Sequence, residues 1–303
     1  MKKKITFAGA GMIGAGLAVD AVMHGDQVTV MDQRSFRELE PGFRRIFGVF
    51  VENGVCSGDE AEDYLKCIRF TTDIKEAVKN ADLVQESIVE QIEAKKALYA
   101  EIQRICGPEE SQPVIASSTS LLFPSALSEG AVYPEKIVVG HPYNPSYLMP
   151  LMEICGGENA SEGTVREVKD IYESWGKVPV ICKKEVKGFI SNEVNQAVTR
   201  ICRDQVVNGI CTAEDMDKAV MYGPGLRMAV LGQLLTTSLG VQGGFRNMCA
   251  KYGLPPNPDY DLLGEQMDDV YKRRTDEEGR TPEDAAAYRD KMLISILRLK
   301  HLI

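Results

Sequence analysis

A glycine-rich segment near the N-terminus has the spacing of a phosphate-binding turn. Gly9, Gly11 and Gly14 form a G-x-G-x-x-G motif, which follows the apolar run of residues 5–8 and precedes a helical stretch. The first glycine permits a tight turn, the second lets the backbone approach a pyrophosphate, and the third lets the helix pack on the strand. A glycine turn that binds no ligand is the alternative interpretation.

An acidic residue stands at the distance that such a turn requires. Asp32 ends the second apolar run, 21 residues after Gly11. A carboxylate there accepts hydrogen bonds from ribose hydroxyls and repels a 2′-phosphate, which favours NAD over NADP. Arg34 keeps NADP open as an alternative. The N–H groups of Met12 and Ile13, at the start of the helix, are the expected donors to the pyrophosphate.

One of the three histidines is placed for acid–base chemistry. His24 lies in the first helical stretch and His301 in the C-terminal tail, whereas His141 follows the apolar run 137–140. Ligands of open α/β sheets bind at the carboxyl ends of the strands, where His141 is expected. An imidazole exchanges protons near neutral pH, so His141 is the candidate base that takes a hydroxyl proton as hydride leaves.

Glu153 interrupts an apolar run, which is a costly place for a charge without a partner. A carboxylate can fix the tautomer of a catalytic imidazole and raise its basicity. Pairing between His141 and Glu153 would therefore explain both residues. Their spacing does not establish that they meet, and a buried histidine beside an unrelated glutamate remains the alternative.

The elements that must position these residues alternate in type along the first half of the chain. Short apolar runs separated by amphipathic stretches predict a parallel sheet covered by helices. The predicted strands are residues 5–8, 27–31, 83–87, 114–117, 137–140 and 178–181. After Lys187 the strand pattern stops and the spacing becomes helical. We therefore expect a doubly wound, Rossmann-like α/β domain at 1–187 and an all-helical domain at 188–303.

Composition excludes several classes of protein. The 303 residues include 35 Lys+Arg and 44 Asp+Glu, a net charge of -9, which argues against binding nucleic acid. The sequence contains no run of about 20 apolar residues, the length that a membrane-spanning helix needs. The eight cysteines are scattered without disulfide or zinc spacing, so we expect reduced thiols, no metal site and a cytoplasmic location.

Taken in order, these segments resemble the L-3-hydroxyacyl-CoA dehydrogenase superfamily over nearly the whole chain. The segments that carry the resemblance are residues 9–14, Asp32, residues 86–90, residues 117–120, residues 140–145 with Glu153, and residues 188–192. The resemblance implies an NAD-dependent dehydrogenase that forms a homodimer through its helical domain.

The resemblance also implies a role for individual residues. His141 would be the base and Glu153 would orient it, while Ser120 and Asn192 would hold the reacting oxygen. From residue type alone, Ser120 suits a helix cap and Asn192 a solvated helix position. The residues implied to lie against the cofactor are Glu90, Lys95, Ser118 and Asn144.

The segment 223–232 bears on the substrate. Where acyl-CoA enzymes carry Pro-Met-Gly-Pro, this chain has an arginine, Arg227, as in the branch that holds the carnitine and gulonate dehydrogenases. A guanidinium binds a free carboxylate through two hydrogen bonds, although an ion pair between helices is the alternative. Tyr143 and Tyr147 offer aromatic faces to a trimethylammonium group.

We therefore expect oxidation of a small 3-hydroxy acid to the 3-keto acid, with L-carnitine or a close analogue as the leading substrate. A short-chain 3-hydroxyacyl-CoA and L-gulonate are the enzymatic alternatives. A non-catalytic, NAD-binding structural protein of the crystallin type is the alternative from another class.

Overall fold

An eight-stranded sheet lies at the centre of the first of two units. The computed structural model describes residues 2–303, and the units are Met1–Gln196 and Ala197–Ile303. In chain order the strands are β1 (Lys4–Ala8), β2 (Gln27–Met31), β3 (Arg69–Thr71), β4 (Leu83–Glu86), β5 (Val114–Ser117), β6 (Ile137–Pro142), β7 (Leu151–Cys155) and β8 (Val178–Cys182).

The spatial order of the strands is β3-β2-β1-β4-β5-β6-β7-β8. Strands β1 to β6 are parallel, β7 runs antiparallel to β6, and β8 pairs with β7 in parallel. The chain leaves β1 toward β2 and later returns to its other side as β4, which makes this point the topological switch of the sheet. Ligands of doubly wound sheets bind at the carboxyl ends of the strands beside such a switch.

Helices cover both faces of the sheet, as the predicted doubly wound fold requires. The helices of this unit are α1 (Met12–Met23), α2 (Phe36–Glu52), α3 (Gly58–Cys67), α4 (Ile74–Ala77), α5 (Ile92–Cys106), α6 (Pro124–Ser128) and α7 (Glu162–Ser174). One core contains Leu17 of α1, Phe43 of α2 and Ile171 of α7. A second core contains Ile102 of α5 and Leu127 of α6.

The second unit is helical, as predicted, and it begins within α8 (Phe189–Val207). Its core includes Leu235, Phe245 and Met267. The remaining helices are α9 (Ala213–Tyr222), α10 (Pro224–Leu231), α11 (Gln233–Leu239), α12 (Met248–Tyr252), α13 (Pro258–Arg273) and α14 (Pro282–Leu299). Three short 3₁₀ helices, Glu109–Ser111, Pro134–Lys136 and Gly244–Asn247, complete the two units. Within residues 2–303, no helix is long and apolar enough to cross a bilayer.

Two strands were not predicted from the sequence pattern. β3 has three residues at the edge of the sheet, too few to form an apolar run. β7 contains Glu153, whose charge breaks the apolar pattern. The domain boundary expected at residue 187 lies two residues before α8, whereas the two units divide inside that helix.

Candidate active site

His141 and Glu153 occupy opposite positions on the antiparallel pair β6 and β7. Their side chains meet, with 2.8 Å between Nδ1 of His141 and Oε2 of Glu153. Both residues are buried, at 5% and 1% exposed. Because the carboxylate occupies Nδ1, the other ring nitrogen, Nε2, is left for proton exchange. Nε2 lies 3.0 Å from Oγ of Ser120, so the predicted base, its carboxylate and Ser120 form one chain of contacts.

The start of α8 supplies the other partners of Glu153. The backbone N–H groups of Ile190 and Ser191 each donate to Oε1 at 2.8 Å, and Oγ of Ser191 donates to Oε2 at 2.6 Å. Burial by itself raises the pKa of Glu153, but hydrogen bonds from His141 and Ser191 outweigh it and hold this pKa below its usual value. The carboxylate is therefore ionised at neutral pH and able to stabilise an imidazolium.

The role of Ser191 was missed at the sequence level. Within the segment 188–192, the sequence predictions assign a role to Asn192, the residue that follows Ser191, and none to Ser191. Asn192 is half-buried in the first turn of α8. The charged Glu153 in an apolar run was the available signal, because a buried carboxylate needs several donors and one histidine supplies a single bond.

Glu90 connects Ser120 to the interior of the sheet. Its Oε1 accepts hydrogen bonds from the backbone N–H of Ser120, at 3.1 Å, and from Oγ1 of Thr119. Its Oε2 lies 3.3 Å from Nζ of Lys95. Lys95 is only 1% exposed and also donates to Oε1 of Glu86 at 2.7 Å. The structure thus encloses Lys95 between two carboxylates, which leaves its side chain no exposed surface for the direct cofactor contact that was predicted.

The glycine-rich turn leaves room for a ligand at the start of α1. A Cβ on Gly9 would lie 2.7 Å from the carbonyl oxygen of Ser87, and one on Gly14 would lie 1.9 Å from the carbonyl oxygen of Gly9. These two glycines are required by packing within the chain. A Cβ on Gly11 would meet nothing within 4 Å, which leaves open space where a pyrophosphate is expected. Met12, at the start of α1, is 63% exposed beside this space.

Asp32 follows β2 and faces the same turn. Its Oδ2 accepts a hydrogen bond from the backbone N–H of Ala10 at 2.8 Å. Arg34 donates to Oδ1 from its backbone N–H and Nε, at 3.0 and 2.9 Å, and to Oδ2 from Nη2 at 2.8 Å. These side-chain hydrogen bonds lower the pKa of Asp32 to about 2. An ionised carboxylate beside an open glycine turn fits the adenosine ribose of NAD.

Three further predicted residues, Ser118, Asn144 and Tyr143, lie in the first unit. Oγ of Ser118 is 2.8 Å from both Nε2 of Gln85 and Oγ of Ser87, near the ends of β4 and β5. Asn144 is exposed and Tyr143 half-buried in the loop that follows His141.

Tyr147 is not placed as predicted. It packs edge-on against Phe50, with 5.9 Å between ring centroids, at the border of the hydrophobic core beside α1 and α2. Its predicted role as an aromatic contact for substrate is therefore corrected to one in packing, because its ring is directed at a helix of the same unit. Trp175 is also a core residue, at 2% exposed.

Arg227 lies in α10 of the second unit and is exposed. Within the described residues, the ion pairs of the second unit are Arg203 with Asp204, Lys218 with Glu214, Arg246 with Asp268, Lys272 with Asp269, Arg280 with Asp276, Arg289 with Asp290, and Lys291 with Glu277. Arg227 joins none of these pairs. The ion pair between helices, which was the alternative interpretation of Arg227, is therefore not present among the described residues.

The sequence matches two family models that together cover most of the chain. Residues 4–186 match the NAD binding domain of 3-hydroxyacyl-CoA dehydrogenase, and residues 188–279 match the C-terminal domain of the same family. The chain belongs to the 3-hydroxyacyl-CoA dehydrogenase family. This dehydrogenase therefore uses NAD and acts on a 3-hydroxyl group, as the sequence predicted.

Its curated relatives include several proteins of one name. The L-carnitine dehydrogenase of Pseudomonas syringae pv. syringae (strain B728a) is 35% identical over 306 residues, covering 96% of this chain and 93% of the relative. That of Oceanobacillus iheyensis is 32% identical over 311 residues, covering 98% of each.

Solved structures support the same family. A 5-formyl-3-hydroxy-2-methylpyridine 4-carboxylic acid 5-dehydrogenase, described as an NAD+-dependent dismutase, matches with a TM-score of 0.70 at 27% identity over 99% of each chain. The 3-hydroxybutyryl-CoA dehydrogenase of Escherichia coli K12 matches with a TM-score of 0.67 at 30% identity over 79% of this dehydrogenase. The match spans only 49% of the E. coli chain.

Proposed function

We propose that this dehydrogenase oxidises the 3-hydroxyl of a small 3-hydroxy acid with a free carboxylate, and that L-carnitine or a close analogue is its substrate. The observation that carries the proposal is the chain of contacts Glu153–His141–Ser120, at 2.8 and 3.0 Å. The relatives named L-carnitine dehydrogenase, which share about a third of the sequence, support the choice of substrate.

In this proposal, the side chains divide the work of proton transfer. Nε2 of His141 takes the proton of the substrate hydroxyl, and the ionised Glu153 stabilises the imidazolium that results. Oγ of Ser120 and the amide of Asn192 hold the oxygen as it becomes a carbonyl. Bound NAD supplies the acceptor for the hydride that leaves the substrate carbon. In the reverse direction His141 returns the proton.

Residues of the glycine turn and the sheet edge hold the cofactor in this proposal. The N–H groups of Met12 and Ile13 bind the pyrophosphate in the space that Gly11 leaves open, and Asp32 accepts the ribose hydroxyls. Three further side chains complete the cofactor site, and Lys95 acts through one of them, Glu90. The side chains assigned to the nicotinamide end are Glu90, Ser118 and Asn144.

Arg227 and Tyr143 are the residues assigned to the rest of the substrate. Arg227 is exposed and joins none of the ion pairs of the second unit within the described residues, so its guanidinium is available to a carboxylate. Tyr143 offers the remaining aromatic face for a trimethylammonium group. A short-chain 3-hydroxyacyl-CoA is the second candidate, favoured by the 30% identity with the E. coli 3-hydroxybutyryl-CoA dehydrogenase.

We also propose a homodimer formed through the helical domain, in a reducing, cytoplasmic compartment. Large apolar side chains remain exposed on the second unit, and α9 and α10 contain no fully buried residue. Ile201, Val207 and Ile210 are 55%, 77% and 67% exposed, which a second copy would cover. The eight cysteines are all free thiols, as expected in such a compartment.

The test is NADH formation with a panel of L-carnitine, L-gulonate, L-3-hydroxybutyrate and 3-hydroxybutyryl-CoA, each with NAD and with NADP. Turnover of L-carnitine with NAD is the expected result. Turnover of the CoA ester alone would overturn the free-acid assignment. NADH binding without turnover of any compound would retain the cofactor and reject the proposed substrate class.

A further inference from the structure

The loop of residues 143–150, which joins β6 to β7, is attached to the dinucleotide helix α1 through buried polar contacts. Ser146 is 1% exposed, and its Oγ donates to the carbonyl oxygen of Ile13 at 3.1 Å. A Cβ on Gly16 would lie 2.2 Å from that same Oγ. Only glycine at position 16 therefore permits the loop to lie this close to α1.

Lys177 also binds this loop, through the backbone carbonyl oxygens of two loop residues. Its Nζ donates to the carbonyl oxygens of Ser146 at 2.5 Å and Met149 at 3.1 Å. The third contact of the ammonium is Oδ2 of Asp20 in α1, at 2.5 Å. The two carbonyl oxygens accept hydrogen bonds from the ammonium, and Asp20 forms an ion pair with it.

The pair is expensive to bury and has no part in the proton transfer described above. Asp20 and Lys177 are 7% and 8% exposed. Removing two charges from water costs several kcal/mol per ion before their attraction is counted, so packing alone would favour apolar residues at both positions. What the pair provides instead is a connection between α1, the loop and the residue before β8.

We propose that Lys177, paired with Asp20, is a positioning residue that fixes this loop on α1 and thereby sets the geometry of the cofactor site. The glycine turn opens α1, whereas Tyr143 and Asn144 begin the loop directly after His141 and Pro142. The contacts of Lys177 with Asp20, Ser146 and Met149 hold these two parts of the site at a fixed distance from each other. Lys177 acts through two backbone carbonyls and touches no reacting atom. The inference rests on the proposed function for the role of Asn144.

The test is NADH binding to Lys177→Met, measured by fluorescence titration well below the melting temperature. Methionine keeps an unbranched side chain, one atom shorter than that of lysine, and loses the three contacts. We expect the dissociation constant to rise about tenfold, equivalent to about 1.4 kcal/mol. In steady-state assays, KM for NAD should rise more than kcat falls, because the His141–Glu153 pair is untouched.

Trp175→Phe is the matched control. Trp175 is buried two residues before Lys177, and its Nε1 donates to Asp26 at 2.7 Å and not to the loop. It should lower the melting temperature while leaving NADH binding within about twofold of the wild type. Equal losses of NADH affinity in both variants would reduce the role of Lys177 to general stability and overturn the proposal.

A folded Lys177→Met variant with unchanged NADH affinity would also overturn it. If that variant does not fold, Ser146→Ala is the second test. It removes only the contact with Ile13 and should weaken NADH binding by a smaller factor. Unchanged NADH binding in Ser146→Ala would then overturn the proposed positioning of the loop on α1. NADH titration needs no substrate. Failure of the carnitine assay therefore leaves this test intact, and failure here leaves the substrate assignment intact.

Discussion

His141 and Glu153 are twelve residues apart in sequence and directly opposite each other on β6 and β7, with 2.8 Å between Nδ1 and Oε2. Side chains on one face of an antiparallel pair meet when their residues are paired in register. The reversal of β7 relative to β6 therefore creates the contact, which a right-handed crossover to a parallel strand would not place at this spacing.

Replacing the candidate base should remove most turnover while sparing the cofactor site. We expect His141→Ala to lower kcat by about 10²–10⁴-fold, the usual contribution of a general base. NADH affinity should stay near the wild-type value because the imidazole ring is not among the groups assigned to bind the ribose and the pyrophosphate. His301→Ala, in the exposed C-terminal tail, is the control and should retain full activity. Wild-type turnover in His141→Ala would reject the base assignment.

The cofactor preference should depend on the pair Asp32 and Arg34. Asp32→Ser removes the charge that repels a 2′-phosphate and releases the Arg34 guanidinium from its two hydrogen bonds. We expect kcat/KM to fall for NAD and rise for NADP. The double variant Asp32→Ser/Arg34→Ala should lose the gain with NADP. An unchanged ratio of the two kcat/KM values in Asp32→Ser would contradict this account.

Removing the guanidinium of Arg227 should separate free acids from thioesters. A hydrogen-bonded contact between charged groups contributes about 1.5–3 kcal/mol, so Arg227→Ala should raise KM for the free 3-hydroxy acid by about 10–100-fold. Activity with 3-hydroxybutyryl-CoA should change little. Arg203→Ala is a suitable control because Arg203 is exposed on α8 and pairs only with the adjacent Asp204. Equal effects on acid and thioester would exclude carboxylate binding by Arg227.

The stability of the fold should depend on pH through Glu153. Its pKa in the folded chain lies below the ordinary value of 4.5, so the ionised form stabilises the fold above that pH. This stabilisation is lost as the pH falls through the lower, folded pKa. Ser191→Ala removes the donor at 2.6 Å and should cost about 1.5–3 kcal/mol at neutral pH.

Urea unfolding at about pH 7 and about pH 3 measures this effect, since the difference between Ser191→Ala and the wild type should shrink in acid. Ser174→Ala is the control, because Oγ of Ser174 donates to the uncharged carbonyl of Ile171 at 2.6 Å. The free energy of unfolding that Ser174→Ala loses should be the same at both pH values. A deficit of Ser191→Ala that stays constant with pH would show that Glu153 does not titrate as described.

Local pattern was sufficient for most of the fold. The predicted strands at 27–31 and 114–117 coincide with β2 and β5, and the other four differ by one or two residues at an end. Apolar periodicity and the glycine motif are properties of neighbouring residues, so a single sequence contains them. The family resemblance was likewise carried by short motifs in a specific order, and the matches to both domains confirm it.

Contacts between distant segments were decided by the tertiary structure alone. Ser191 reaches Glu153 only because α8 begins beside β7, and Lys95 is enclosed because α5 packs over β4. Tyr147 turns toward α2, where it meets Phe50. Each outcome depends on which elements become neighbours and in what register. Residue type states which bonds a side chain can form, and only the packing of the elements determines which partner is within reach.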